Sequence, residues 1–177
     1  MNLSNDWYCT ISNPQYSTPV GFGKYTWFVR FPELAGSEKF SAGGTLYTSN
    51  EAGGYHAETI TGWYGSYEDR TKLGATGNQL LLRIYSEIPP VEKNVAVLDP
   101  DIDYKLSIEL RNNEGKYRIV WLLDDKVLFG SNTTFGPDEV KFLFITSVES
   151  NGPWTPGDDN ISQRYTAKFD YIEYTAY

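Results

Sequence analysis

The stretch Gly21-Phe22-Gly23-Lys24-Tyr25-Thr26-Trp27-Phe28-Val29-Arg30-Phe31-Pro32 reads as a single β-strand, and it decides the fold class. Tyr25, Trp27, Val29 and Phe31 alternate with Lys24, Thr26, Phe28 and Arg30. Successive side chains of a strand leave opposite faces of the sheet, so this period of two gathers four large apolar groups on one face. Pro32 has no N–H to give to a ladder and ends the run.

The same period recurs along the chain. Leu80, Leu82 and Ile84 alternate with Gln79, Leu81, Arg83 and Tyr85, and Tyr104, Leu106, Ile108 and Leu110 with Lys105, Ser107, Glu109 and Arg111. The second of these runs has a dry face and a wet face, as an outer sheet needs. Val140–Val148 is almost continuously apolar, the pattern of a strand buried on both sides, and Phe169, Tyr171 and Tyr174 mark a closing strand. Turn chemistry separates the runs, with Asn112-Asn113-Glu114-Gly115 before Tyr117–Leu123 and Asp124-Asp125 before Lys126–Phe129. Gly53-Gly54, Gly74 to Gly77 and Asn151–Asp159 read as loops. No helical period, repeat or linker breaks the series. The expectation is one all-β domain over residues 1–177, about ten short strands in a two-sheet antiparallel sandwich whose larger sheet can curve. Periodicity by itself fits a lipocalin-type barrel or an immunoglobulin-type sandwich as well.

Composition narrows the partners. Aromatic residues make up 16% of the chain, with 16 Gly and 9 Pro, which suits strands joined by tight turns. The net charge of −8 repels phosphate backbones, so nucleic acid is excluded and a neutral carbohydrate or other uncharged ligand is favoured. No segment approaches the roughly 20 apolar residues that span a bilayer, so no membrane partner is expected. A lone Cys9 and a single His rule out an intrachain disulfide and a His/Cys zinc site, and Cys9 is read as a buried, inert thiol. The opening Met-Asn-Leu-Ser-Asn-Asp has neither a basic nor an apolar leader region. No signal peptide is therefore expected on this chain, which leaves either a cytoplasmic protein or a secreted one shorn of its leader. Nothing in the sequence sets the oligomeric state.

The order of motifs resembles family 16 glycoside hydrolases and their lectin-like relatives over nearly the whole chain. Gly21–Pro32 and Ala42–Thr48 are similar to two successive strands of that family. Tyr104–Leu110 with Tyr117–Val127 is similar to its hairpin, Phe142–Ile145 with Gly152–Gly157 to its late strand and Trp-Pro-Gly loop, and Tyr165–Ile172 to its closing strand. The resemblance implies a jelly roll of the concanavalin A-like lectin/glucanase type. It also implies a location for catalysis. The family's active-site strand reads Glu-x-Asp-x-Glu, and the matching segment here is Glu58-Thr59-Ile60-Thr61-Gly62. Glu58 then matches the nucleophile, while Ile60 and Gly62 replace the helper Asp and the acid/base Glu. A retaining glycosidase needs two carboxyl groups about 5 Å apart. Losing the acid costs roughly 10²–10⁴ in rate, so the motif is degenerate and hydrolysis is not expected. The resemblance further makes Asp170, with backbone carbonyls from the N-terminal region, a possible structural calcium site; no other cofactor is expected.

If Glu58 faces a cleft, His56, Ile60 and Gly62 share its face. The resemblance adds Thr45 and Tyr47 from the neighbouring strand and Arg83 and Tyr85 from the strand beyond, with Trp154 overhanging from its loop. Tyr47, Arg83, Tyr85 and Trp154 are thus the expected ligand contacts, with Glu58 and His56 the catalytic pair if the protein is an enzyme. Glu58 equally suits a structural pair with Arg83 or His56, and the opposite register would bring Ala57, Thr59, Thr61 and Trp63 to the cleft. Trp27, Trp63 and Trp121 are read as core. The expected function is carbohydrate binding without family 16 hydrolysis. A non-hydrolytic cyclase, isomerase or lyase acting on a small hydrophobic metabolite is the alternative, and a residual glycosidase comes third.

Overall fold

The computed structural model describes residues 8–12, 20–33, 40–48, 59–64, 79–84, 91–150 and 167–177. They form strands β1 (Tyr8–Ser12), β2 (Gly23–Arg30), β3 (Phe40–Tyr47), β4 (Thr59–Tyr64), β5 (Gln79–Ile84), β6 (Val91–Val97), β7 (Asp103–Asn113), β8 (Lys116–Leu123), β9 (Lys126–Asn132), β10 (Leu143–Ser150) and β11 (Lys168–Ala176). Six strands make one sheet in the order β1-β10-β3-β4-β5-β6, and five make the other in the order β11-β2-β7-β8-β9. Every pairing is antiparallel, and the described residues contain no helix. The two-sheet sandwich expected from the alternation is what forms.

Its core is the set of alternate positions. Tyr25 and Trp27 on β2, Leu106, Ile108 and Leu110 on β7, and Tyr117, Ile119 and Trp121 on β8 are all fully buried in one cluster with Ala42 and Leu46 of β3. Burying a large apolar side chain contributes about 1.5–3 kcal/mol, so these facing rows hold the sheets together. The sheets meet closely at one point, where a Cβ on Gly44 would run into the Trp27 indole. Leu80, Leu82 and Ile84 pair with Tyr64, Gly62 and Ile60, which pair with Ala42, Gly44 and Leu46. All nine positions therefore lie on the interior face. Cys9 lies there too, through Val148 and Ala42.

Three details differ from the sequence reading. The outer face of β7 is not simply wet, because Ser107 and Glu109 are buried. Ser107 hydrogen-bonds Thr26 across the strands at 2.9 Å, and Glu109 pairs with Arg111 and Lys24. Val140 and Lys141 stand outside the late strand, with Phe142 making an isolated bridge to Val20 before β10 begins. Finally, β6 is a strand that carries no clear alternation. It lies at the sheet edge across a register shift, and its exposed Lys93 occupies an interior-face position opposite Leu82. A charge there blunts an edge that would otherwise recruit another strand.

Candidate functional site

The pairing of β3, β4 and β5 fixes which residues share the outward face of the six-stranded sheet. Directly paired residues lie on the same face, and successive residues alternate. One row runs across all six strands as Ser12, Ile145, Thr45, Thr61, Arg83 and Glu92. The row on one side is Thr10, Ser147, Gly43, Trp63, Leu81 and Asn94, and on the other side Leu143 pairs with Tyr47 and Tyr47 with Thr59. Thr45 is buried at the foot of this face, and Tyr47 is half-buried at its rim.

Of the expected contacts, Tyr47 on β3 and Arg83 on β5 occupy positions on this same face, two strands apart. The favoured register of β4 is corrected. Ile60 pairs with Leu46 and Gly62 with Gly44, so both belong to the interior face, and Thr59, Thr61 and Trp63 take the outward one. The physical reason is the seat of Trp27: its indole lies over Gly44, and Gly62 is the next small residue in that row. Trp63, read from sequence as core, takes a position on the outward face, the face of its partners Gly43 and Leu81. A signal was in the sequence: Gly62 is the one glycine of β4, and a glycine is the residue a core Trp across the sheets admits on the interior face. His56, Glu58, Tyr85 and Trp154 lie outside the described residues, as do Ala57 and the loops at residues 53–54, 74–77 and 151–159.

Asp170 is exposed on β11 of the other sheet, where two residues oppose one of β2 in a register shift between Phe169 and Ile172. Among the described residues no three His, Cys, Asp or Glu side chains stand together as a metal group.

No family model matches the chain, and no curated protein matches its sequence. Solved structures do match its fold. A β-glucanase from Bacillus licheniformis superposes with a TM-score of 0.66 at 14% identity, over 97% of this chain and 79% of that one. Porphyranase B from Zobellia galactanivorans gives 0.63 at 10% identity, over 94% and 71%. A family 16 endo-glucanase from Bacteroides ovatus, solved in complex with G4G3G-2F-DNP, gives 0.60 at 11% identity, over 89% and 71%. The chain has the jelly-roll fold of family 16 glucanases.

Proposed function

We propose that the protein binds carbohydrate on the outward face of its six-stranded sheet and does not hydrolyse it by the two-carboxylate route. The observation that carries this is the strand register, which gathers Tyr47, Thr45, Thr59, Thr61, Trp63 and Arg83 on one face. Aromatic rings stack on the C–H faces of sugars, and hydroxyls and a guanidinium supply oriented hydrogen bonds, so this residue set suits a glycan. The glucanase, porphyranase and endo-glucanase likenesses support the same class of ligand.

Hydrolysis is disfavoured by where the acids stand. Among the described positions of this face the carboxylates are Glu92 on β6 and Glu149 on β10. Four strand spacings separate those strands, roughly 19 Å at about 4.8 Å each. Retaining chemistry needs carboxyls about 5–5.5 Å apart and inverting chemistry about 6.5–9.5 Å. The positions of β4 on this face hold Thr59, Thr61 and Trp63 instead.

The test is affinity electrophoresis through mixed-linkage β-glucan, β-1,3-glucan, agarose and carrageenan, beside a reducing-end assay on the same polymers. Retention by at least one neutral glycan is expected, without release of reducing ends. Trp63→Ala and Arg83→Ala should each weaken it by about 1–3 kcal/mol, or 5- to 150-fold. Robust hydrolysis abolished by Glu58→Ala would sink the non-hydrolytic reading, and retention unaffected by both variants would sink the choice of face.

A further inference from the structure

The five-stranded sheet carries a second feature that the glycan-binding face does not use. Phe28 of β2 and Tyr171 of β11 stack ring on ring, with centroids 4.0 Å apart and planes 23° from parallel. Tyr171 nevertheless stays 51% exposed. Among the described residues β11 is the edge strand of its sheet, with β2 on one side, so Phe28 covers one face of the Tyr171 ring and no described strand adjoins the other.

The backbone builds this arrangement. Phe169 pairs with Val29 and Ile172 with Trp27, so Asp170 and Tyr171 together oppose the single residue Phe28. A bulge of this kind re-aims a side chain, and here it leaves Asp170 and Tyr171 both exposed. Without it, strict alternation would send one of the pair towards the core. A carboxylate is thereby set next in sequence to a flat ring that is held rigid from behind. Glu173, also exposed, follows two residues later on the same strand.

We infer that the Phe28–Tyr171 stack, with Asp170 beside it, is a second sugar-binding platform that holds one neutral pyranose unit of a glycan. The ring offers a π-face to the axial C–H groups of a pyranose, and the carboxylate accepts hydrogen bonds from neighbouring hydroxyls. The occupant is neutral because exposed Asp170 and Glu173 share the strand of the ring in a chain of net charge −8, while Arg30 and Lys105 on the neighbouring strands are already paired with Asp103 and Asp125, which disfavours sulfated or phosphorylated ligands. A single ring fits because one exposed aromatic face is on offer. This platform lies on the sheet opposite the Tyr47–Arg83 face, so a long glucan could engage both and a short oligosaccharide only one. Its binding is then weak for a single unit and gains by multivalency on polymer.

The experiment compares wild type, Tyr171→Ala, Tyr171→Phe, Asp170→Asn and Arg83→Ala by affinity electrophoresis in polymeric mixed-linkage β-glucan, β-1,3-glucan and agarose, with thermal melting as the folding control. Tyr171→Ala should lose tenfold or more of the polymer affinity while still melting cooperatively. Tyr171→Phe should keep it, because the stacking face survives, and Asp170→Asn should lose part of it without depending on the ring. If Tyr171→Ala and Asp170→Asn migrate as wild type while Arg83→Ala does not, the platform is overturned and the cleft reading stands. Loss in Tyr171→Ala alone, with Arg83→Ala as wild type, supports the platform and sinks the cleft reading. No retention of wild type by any polymer overturns both, and capture by a choline resin released only in Tyr171→Ala would overturn it by assigning the ring to a cation.

Discussion

At the scale of single residues, glycine decides more here than any charged group. Gly44 lies under the Trp27 indole, and its register partner Gly62 shares the interior face. Gly62 therefore does not occupy the place of a lost catalytic acid in an open cleft. Gly62→Glu would bury an unpaired carboxylate on the interior face, a change that should cost about 3–5 kcal/mol. Thr61→Glu, one residue away on the outward face, should cost less than about 1 kcal/mol. Equilibrium urea denaturation of the two variants checks this directly. If Gly62→Glu is as stable as wild type, the register of β4 is wrong and the proposed binding face falls with it. By the same geometry Gly44→Ala, which must push the indole aside, should lose about 1–3 kcal/mol.

At the scale of elements, turns and parity account for what the sequence made legible. The run Tyr25, Trp27, Val29, Phe31 could be read because each of those residues is large, apolar and buried on one face. The strand β4 could not, since in Thr59-Ile60-Thr61-Gly62-Trp63-Tyr64 neither alternate set is plainly apolar or plainly polar, and the family likeness in Glu58–Gly62 favours the other parity. A period of two makes such an error total: one residue of slip exchanges every position between core and cleft. β6 escaped notice for a related reason, because a register shift and an edge position remove the alternation that reveals a strand. The β7–β8 turn was legible from Asn112-Asn113-Glu114-Gly115, yet it carries a flaw. Glu114 and Gly115 have φ of 54° and 82°, as a type I′ turn requires, and Glu is a poor occupant of the left-handed region. Glu114→Asn gives the favoured Asn-Gly pair and should raise stability by about 0.5–1 kcal/mol, read as a higher urea midpoint at unchanged slope. The β8–β9 turn tolerates Asp124 and Asp125 at φ of 50° and 62° with a different compensation. Asp125 reaches Lys24 at 2.8 Å and Lys105 at 3.0 Å, and those hydrogen bonds hold its carboxyl below the usual range.

At the scale of the whole molecule, three tyrosines tie the chain segments at one end of the sandwich. Tyr25 donates its hydroxyl to the Gly21 carbonyl at 2.5 Å, Tyr174 to Phe22 at 3.0 Å, and Tyr117 to Val140 at 2.7 Å. Those carbonyls flank the Val20–Phe142 bridge, where the segment entering β2 meets the one entering β10. Burial pushes the Tyr25 and Tyr117 phenols far above their ordinary range, with neighbouring tyrosines adding to the effect. The sign of the consequence follows from linkage. A phenol whose pKa is raised by folding contributes its full stabilisation below the unfolded value near 10, and that contribution is lost as pH rises through and beyond it. Each protected phenol then removes about 1.4 kcal/mol of stability per pH unit, so the pair can exhaust a typical margin of about 5–15 kcal/mol within a few units. The protein should unfold cooperatively in strong alkali, and part of its phenolate absorbance should appear only with loss of near-ultraviolet circular dichroism. Tyr117→Phe separates this from general charge repulsion. It forfeits the bond to Val140 and should be about 1 kcal/mol less stable at neutral pH, yet its stability should fall less steeply above pH about 10. An unchanged alkaline slope in Tyr117→Phe, or phenolate absorbance that rises fully while the fold persists, would show that these tyrosines do not govern the alkaline limit.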